Sequence, residues 1–350
     1  MQFKLTSHEE NVSVITSIAP QFGLYNHCCR SNFDALHTLV KDDLLDVNST
    51  IISKMQSSIE LIPQIAGHIV TSGGKRLRPM LTLASAGLVG YEGTRHIDLA
   101  ACVEFIHTAT LLHDDVVDQS NLRRGQGTAN AVWGNQASVL VGDFLLSRAF
   151  QIMVADGSLK VLKILSDASA VIAEGEVHQT IIKNDLETAE TAYFQIIENK
   201  TAVLFAAAAQ IGAVIAERPE REERALEAFG RNLGVAFQLT DDVLDYSAEQ
   251  LIRGDDFRDG KITLPVILAY AAGNDEERAF WRRTIGDLKQ NEEDLTHAQS
   301  LMLHHGTLSK TLKRAREYAN AAHRNLSLFA PTAHRIAMNE VIDFCVDRVY

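Results

Sequence analysis

The stretch Leu99-Ala100-Ala101-Cys102-Val103-Glu104-Phe105-Ile106-His107-Thr108-Ala109-Thr110-Leu111-Leu112-His113-Asp114-Asp115-Val116-Val117-Asp118 decides how the chain folds. Its apolar residues recur at steps of three and four with no Gly or Pro between them, so it reads as one long helix over about 96–118 ending on carboxylates. Outward from it, the same periodicity predicts helices over about 32–47, 50–71, 79–90, 136–155, 160–182, 187–216, 220–247, 262–273, 277–288, 292–304, 308–327 and 331–349. The expected class is all-α, a single-domain helical bundle. No repeat of about 20–50 residues marks it as a solenoid. The helices over 96–118, 187–216 and 220–247 make rods of roughly 33–45 Å, long enough to enclose a deep central cavity. Glycines gather at the junctions Ser72-Gly73-Gly74, Gly125-Gln126-Gly127 and Gly254, where loops face ligands.

With 45 acidic and 33 basic residues among 350, the formal net charge is −12, the wrong sign for a nucleic-acid binder that must neutralise phosphates. A hydrophobic content of 46% and a mean hydropathy near zero suit a globular chain with a substantial core. No uninterrupted apolar run reaches the roughly 18 residues of a membrane span; the longest candidate, Thr201 to Ala216, is short and broken by Gln210. A chain that is soluble, or at most sits on a membrane, is expected. The four cysteines, Cys28, Cys29, Cys102 and Cys345, have neither Cys-x-x-Cys spacing nor companion histidines, so no zinc site or disulfide framework is expected, and a cytoplasmic location is the simplest. Residues 1–31 show no export or organelle signal and read as an extension preceding a domain of 32–350.

Two clusters carry the chemistry. Asp114-Asp115-Val116-Val117-Asp118 ends one long apolar helix and Asp241-Asp242-Val243-Leu244-Asp245 ends another, both with the pattern Asp-Asp-x-x-Asp. On a helix the first and last aspartates of each cluster lie one turn apart on the same face, where like charges repel unless a cation compensates them. Hard oxygen donors without soft partners point to Mg²⁺, which keeps several waters and favours carboxylate together with substrate phosphate. Cations stand where phosphates would need them. Gly73-Gly74-Lys75-Arg76-Leu77-Arg78-Pro79 is a glycine-rich turn leading into a helix, and Arg123-Arg124-Gly125 follows the first cluster. Asn199-Lys200-Thr201, Phe237-Gln238 and Asp259-Gly260-Lys261 complete the set. A solvated helix end explains one cluster as well as a metal does; two such clusters with matching cations favour diphosphate chemistry.

In this order, Gly-Gly-Lys-Arg-Leu-Arg-Pro, Asp-Asp-Val-Val-Asp with Arg-Arg-Gly, Lys-Thr, and Phe-Gln with Asp-Asp-Val-Leu-Asp, the chain resembles the trans-isoprenyl diphosphate synthases (polyprenyl synthetases) over about residues 32–350. Within them it looks most like the bacterial octaprenyl and decaprenyl diphosphate synthases. The resemblance implies an isoprenoid-synthase helical bundle, usually a homodimer, whose two aspartate motifs face each other. It implies that Asp114, Asp115, Asp118, Asp241, Asp242 and Asp245 hold Mg²⁺. Lys75, Arg78, His107 and Arg124 would bind isopentenyl diphosphate, and Arg123, Lys200, Thr201, Gln238 and Lys261 the allylic diphosphate, farnesyl or geranyl. Asp114, Asp118, Asp241, Asp245 and Lys200 carry catalysis in this reading: charge on the departing diphosphate is stabilised, and the double bond of isopentenyl diphosphate attacks the allylic cation. His113 and, taken alone, His107 also read as core histidines.

Four and five residues before the first motif stand Thr110 and Ala109, where short-chain members carry bulky aromatics. Small side chains there imply a long product, octaprenyl to decaprenyl, for quinone side chains, with Phe144 or Phe150 as a candidate floor and a peripheral membrane contact for product release. A shorter-chain synthase or a regulatory subunit of a heteromeric synthase are the alternatives; a class I terpene cyclase would lack the second aspartate motif and the Gly-Gly-Lys-Arg loop. The loop Gln250 to Asp256 departs from the family in lacking its Gly-Lys pair, leaving Arg253 as the available cation, and Asn199 is bulkier than the usual residue.

Overall fold

The computed structural model describes residues 32–71, 74–123, 125–247 and 254–347. Their order is α1 (Asn32–Leu39), α2 (Lys41–Lys54), α3 (Leu61–Thr71), α4 (Leu77–Leu88), α5 (Arg95–Val117), β1 (Leu122–Arg123), β2 (Gln126–Gly127), α6 (Ala129–Trp133), α7 (Asn135–Asp156), α8 (Leu159–Ile181) and α9 (Glu190–Ile197). A π turn (Glu198–Ala202) leads into α10 (Val203–Ile215), followed by α11 (Glu220–Asp245), α12 (Asp255–Arg258), α13 (Leu264–Ala272) and α14 (Asp275–Trp281). A second π turn (Arg282–Gly286), α15 (Asp294–His304), α16 (Thr307–Leu326) and α17 (Ala333–Asp347) close the described chain. The all-α expectation holds.

The departures are local. The helix expected over 50–71 breaks after Lys54, where the Ser57 hydroxyl accepts the Ile59 amide in a turn. The rod expected over 187–216 is α9, a π turn and α10, with the wide turn falling at Asn199-Lys200-Thr201; π turns of this kind recur at functional sites. Leu122–Arg123 and Gln126–Gly127 pair as two antiparallel strands with Arg123 opposite Gln126, too short for a strand signal to register in the sequence.

Hydrophobicity sets the layers. In α10, Val-Leu-Phe-Ala-Ala-Ala-Ala-Gln-Ile-Gly-Ala-Val-Ile is buried on nearly every side, as a helix apolar all round must be. It is packed among α4, α8 and α11. The main core runs through these helices and α5, α7 and α17; a smaller apolar cluster, built on Tyr246, Phe257, Trp281 and Ile285, joins α12 to α15.

Polar ties show direction. Arg95 donates twice to Asp156, both at 2.8 Å, joining the start of α5 to the end of α7, while His113 near the end of α5 reaches the Val139 carbonyl at 3.2 Å near the start of α7. The two helices therefore run antiparallel. Lys160 and Glu223, at 2.7 Å, bring the starts of α8 and α11 together, so those two run parallel and end at the same place as α5. That shared end carries the aspartates.

The helix expected over 136–155 is α7, which is also long and apolar enough by length and composition to cross a membrane; Gln136, Asp143, Ser147 and Arg148 interrupt its runs, so a search for uninterrupted ones passes over it. In the fold one side of α7 packs into the core through Val141, Leu145, Ala149, Ile152 and Met153. Its other side, with α8, leaves Leu140, Val154, Leu159, Val177 and Ile181 exposed.

Candidate active site

Three helices and one π turn build the site at the shared end. The first motif closes α5. Asp115 is turned inward, 5% exposed, and accepts Arg123 Nη2 at 2.7 Å and Nε at 3.0 Å, which ties the strand pair back to the helix. Asn130 donates to the Asp115 and Ser120 carbonyls at 3.2 and 3.0 Å, and His68 in α3 donates to the Gly127 carbonyl at 2.8 Å, bracing the strand pair from both sides. Asp114 faces Lys200, 3.5 Å away on the π turn. Lys200 also donates to Glu176 and Gln179 on α8, each at 2.7 Å. The π turn comes this close because residue 175 is glycine: a Cβ there would lie 3.0 Å from both Asn199 Cβ and the Lys200 backbone nitrogen.

The second motif closes α11 and is anchored by neutral donors. Asp242, 2% exposed, accepts the Tyr193 hydroxyl at 2.5 Å and Gln238 Nε2 at 2.8 Å. Asp245 accepts the backbone amides of Asp255 and Asp256 at 3.3 and 3.1 Å, capping α12. Thr201 donates to Gln238 at 3.1 Å, so the Lys-Thr turn and the second motif share one hydrogen-bond chain. Lys261 pairs with Asp256 at 3.0 Å and with Asp259 at 4.0 Å. Asp256 beside it, helped by Asp118 from the first motif, holds its ammonium above the usual range. Through Asp256, whose amide Asp245 accepts, Lys261 is tied to the second motif.

Burial raises the carboxylates at this mouth. Burial pushes Asp242 and Asp245 up to about 7, each with Asp256 adding repulsion, and Glu176 up to about 7 with Asp114 adding to it. Asp114 is raised by burial too. Oxygen-only donors with surplus negative charge fit a hard divalent cation. Among the described residues no three carboxylate, imidazole or thiol groups converge as a preformed cage. An ion that keeps waters and shares substrate phosphates has no need of one.

The predicted isopentenyl diphosphate residues form a second group. Arg78 donates to His107 at 3.1 Å and lies 4.5 Å over the Phe205 ring, while exposed Lys75 sits 4.3 Å over Phe344 of α17. His107 stands about two helical turns before Asp114 on α5. Arg76 is turned away into an ion pair with Glu104. Arg124 and Arg253 lie outside the described residues, as do Cys28 and Cys29. His113 packs against Gly142 of α7, in keeping with its structural reading. Ala109 is buried, and Thr110 donates to the His107 carbonyl at 2.7 Å. Phe150 is 42% exposed, which removes it as a floor within one copy of the chain, whereas Phe144 is half-buried against the core.

Glu176, Gln179, Tyr193, Asp256 and Asp259 escaped the sequence reading. Glu176 and Gln179 stand three apart at the end of a helix, a same-face polar pair that could have been found. Tyr193 gave no signal, since its partner lies 49 residues away.

A model of the polyprenyl synthetase family matches residues 59–302. The chain belongs to the polyprenyl synthetase family. This polyprenyl synthetase is 46% identical over 323 residues to octaprenyl diphosphate synthase of Escherichia coli, an alignment that covers 91% of the chain and 99% of that relative. Among solved structures, a decaprenyl diphosphate synthase from Rhodobacter capsulatus superposes with a TM-score of 0.88 at 47% identity, covering 91% of this chain and 99% of that one. A polyprenyl synthase from Caulobacter crescentus, complexed with calcium and isoprenyl diphosphate, also gives 0.88, at 48% identity over 92% of this chain and 100% of that one.

Proposed function

We propose that this polyprenyl synthetase is a long-chain all-trans polyprenyl diphosphate synthase, a prenyltransferase that adds isopentenyl diphosphate to an allylic primer such as farnesyl or geranyl diphosphate. The observation that carries the reading is that each aspartate motif is met by the predicted diphosphate-binding cations, Lys200 and Arg123 on the first and Lys261, through Asp256, on the second. Residues 32–350 act as the catalytic unit and 1–31 precede it.

In this reading Asp114, Asp118 and Asp241 would hold Mg²⁺. Asp115, Asp242 and Asp245 keep the motifs in place through Arg123, Tyr193, Gln238 and the α12 amides. Bound there, the cations supply electrophilic pull on the departing diphosphate oxygens. Arg123, Lys200 and Lys261 add positive charge where the departing diphosphate develops negative charge, and Thr201 and Gln238 orient it by hydrogen bonding. Lys75, Arg78, His107 and Arg124 hold isopentenyl diphosphate so that its double bond faces the allylic carbon. The proton lost after bond formation goes to the released diphosphate, and no protein nucleophile takes part. Buried, small Ala109 and neighbouring Thr110 leave room for an octaprenyl to decaprenyl product, suited to quinone side chains.

The exposed apolar strip on α7 and α8 supports a homodimer formed through that face. Leu140→Asp with Val154→Asp is expected to convert dimer to monomer in sedimentation velocity; an unchanged coefficient argues against that face. A cytoplasmic site with a peripheral membrane contact for product release completes the proposal. Its test is incubation with Mg²⁺, farnesyl diphosphate and labelled isopentenyl diphosphate, followed by chain-length analysis. A ladder ending in the long-chain range is the expected result. No incorporation would favour a regulatory-subunit role instead, and a cyclic hydrocarbon from farnesyl diphosphate alone a terpene cyclase.

A further inference from the structure

Between the second motif and α13 the chain runs through Gly254–Thr263, bringing Asp256 and Lys261 to the site. This segment is closed on itself by the Lys261 amide, which donates to the Asp256 carbonyl at 2.9 Å, and by the Lys261–Asp256 ion pair. Something must fix the rest of it relative to the bundle, because the Asp255 and Asp256 amides on Asp245 tie its start to the second motif.

Two side-chain amides do this in the same way. Asn184, in the turn after α8, donates Nδ2 to the Ile285 carbonyl at 2.7 Å and to the Gly260 carbonyl at 3.3 Å. Gln290 donates Nε2 to the Thr284 carbonyl at 2.8 Å and to the Phe257 carbonyl at 2.7 Å. Each amide has two N–H bonds, and each spends one on the Asp256–Lys261 segment and one on the π turn Arg282–Gly286. The wide turn supplies carbonyls to which a side chain can donate.

The fit is tight at both ends. Asn184 has φ of +65°, a left-handed conformation that asparagine tolerates better than most residues. Gly260 has φ of +66°, and a Cβ there would sit 2.2 Å from Asn184 Nδ2 and 2.5 Å from Leu288 Cδ2. Phe257 and Ile285, two of the residues whose carbonyls are clipped, are buried in the smaller core.

The geometry points to Asn184 and Gln290 as a pair of positioning residues, a double amide clip that sets Lys261 at its place beside the second aspartate motif. Neither belongs to the binding groups described above; they act through the backbone that carries Lys261. The inference rests on the reading of Lys261 as a ligand of the allylic diphosphate, and its test is divided so that the two stand or fall separately.

Asn184→Gly keeps the left-handed backbone and deletes the amide, Asn184→Asp keeps the shape and deletes both donors, and Gln290→Leu removes the second clip. In the substrate-free protein, hydrogen exchange followed by mass spectrometry is expected to accelerate about tenfold in the 255–262 segment of each variant, with α5 and α10 unchanged. In elongation assays KM for the allylic diphosphate should rise about tenfold while KM for isopentenyl diphosphate stays within about twofold. Wild-type exchange across 255–262 in all three variants overturns the clip, as do faster exchange spread through the bundle and equal rises in both KM values. If the wild-type protein elongates no primer, the proposed function falls, and the exchange measurement alone decides the clip.

Discussion

The two aspartate motifs share a sequence pattern but not a setting. At the end of α5, Asp115 is met by the Arg123 guanidinium and Asp114 by the Lys200 ammonium. At the end of α11, Asp242 and Asp245 are met by a phenol, a carboxamide and two backbone amides, with the Asp256 carboxylate close by. Protein cations compensate the first motif directly. The second is held in shape by neutral donors, and burial, with Asp256 adding repulsion, pushes Asp242 and Asp245 up to about 7. One pattern thus provides two electrostatic environments.

The largest effect expected from breaking either side is catalytic. Asp114→Ala and Asp241→Ala should each lower turnover at least about a hundredfold with an unchanged far-ultraviolet circular dichroism spectrum, because each removes a proposed Mg²⁺ ligand rather than a packing contact. Near-wild-type turnover in either variant takes the metal role away from that motif. Next is the proposed chain-length wall at Ala109 and Thr110. Ala109→Phe should shorten the product seen by chromatography, and an unchanged chain length would rule out this wall as the ruler.

A smaller effect separates the motifs by sign. Asp115→Asn strands Arg123 and should lower stability by about 1 kcal/mol, less than a fully buried pair would cost because Arg123 is 40% exposed. Asp242→Asn removes a buried carboxylate from beside Asp256 and should raise stability by about 1 kcal/mol in chelator. Thermal or denaturant midpoints check both, and shifts of the same sign would erase the distinction.

The fold and the motifs were legible because they are local. Helical periodicity, the spacing of Asp114 and Asp118, and the Lys200-Thr201 pair are all read within one or two turns. The π turns were not legible, since a one-residue widening leaves apolar periodicity almost intact. Anchors such as Tyr193 for Asp242, or Asn184 for Gly260, were hidden for another reason: their partners are 49 and 76 residues away, and only packing brings them together. Phe150 went wrong as a tunnel floor because periodicity places it on α7 without saying which side of that helix meets the core.

The proposed reaction requires a divalent cation that acts with both motifs on one diphosphate. Calorimetric titration with an unreactive allylic thiodiphosphate, in Mg²⁺ and in chelator, tests this most directly. Binding should weaken at least about a hundredfold in chelator, and Asp114→Asn and Asp241→Asn should each remove most of the Mg²⁺ dependence. Equal affinity with and without the cation, or a dependence that survives both substitutions, would contradict it.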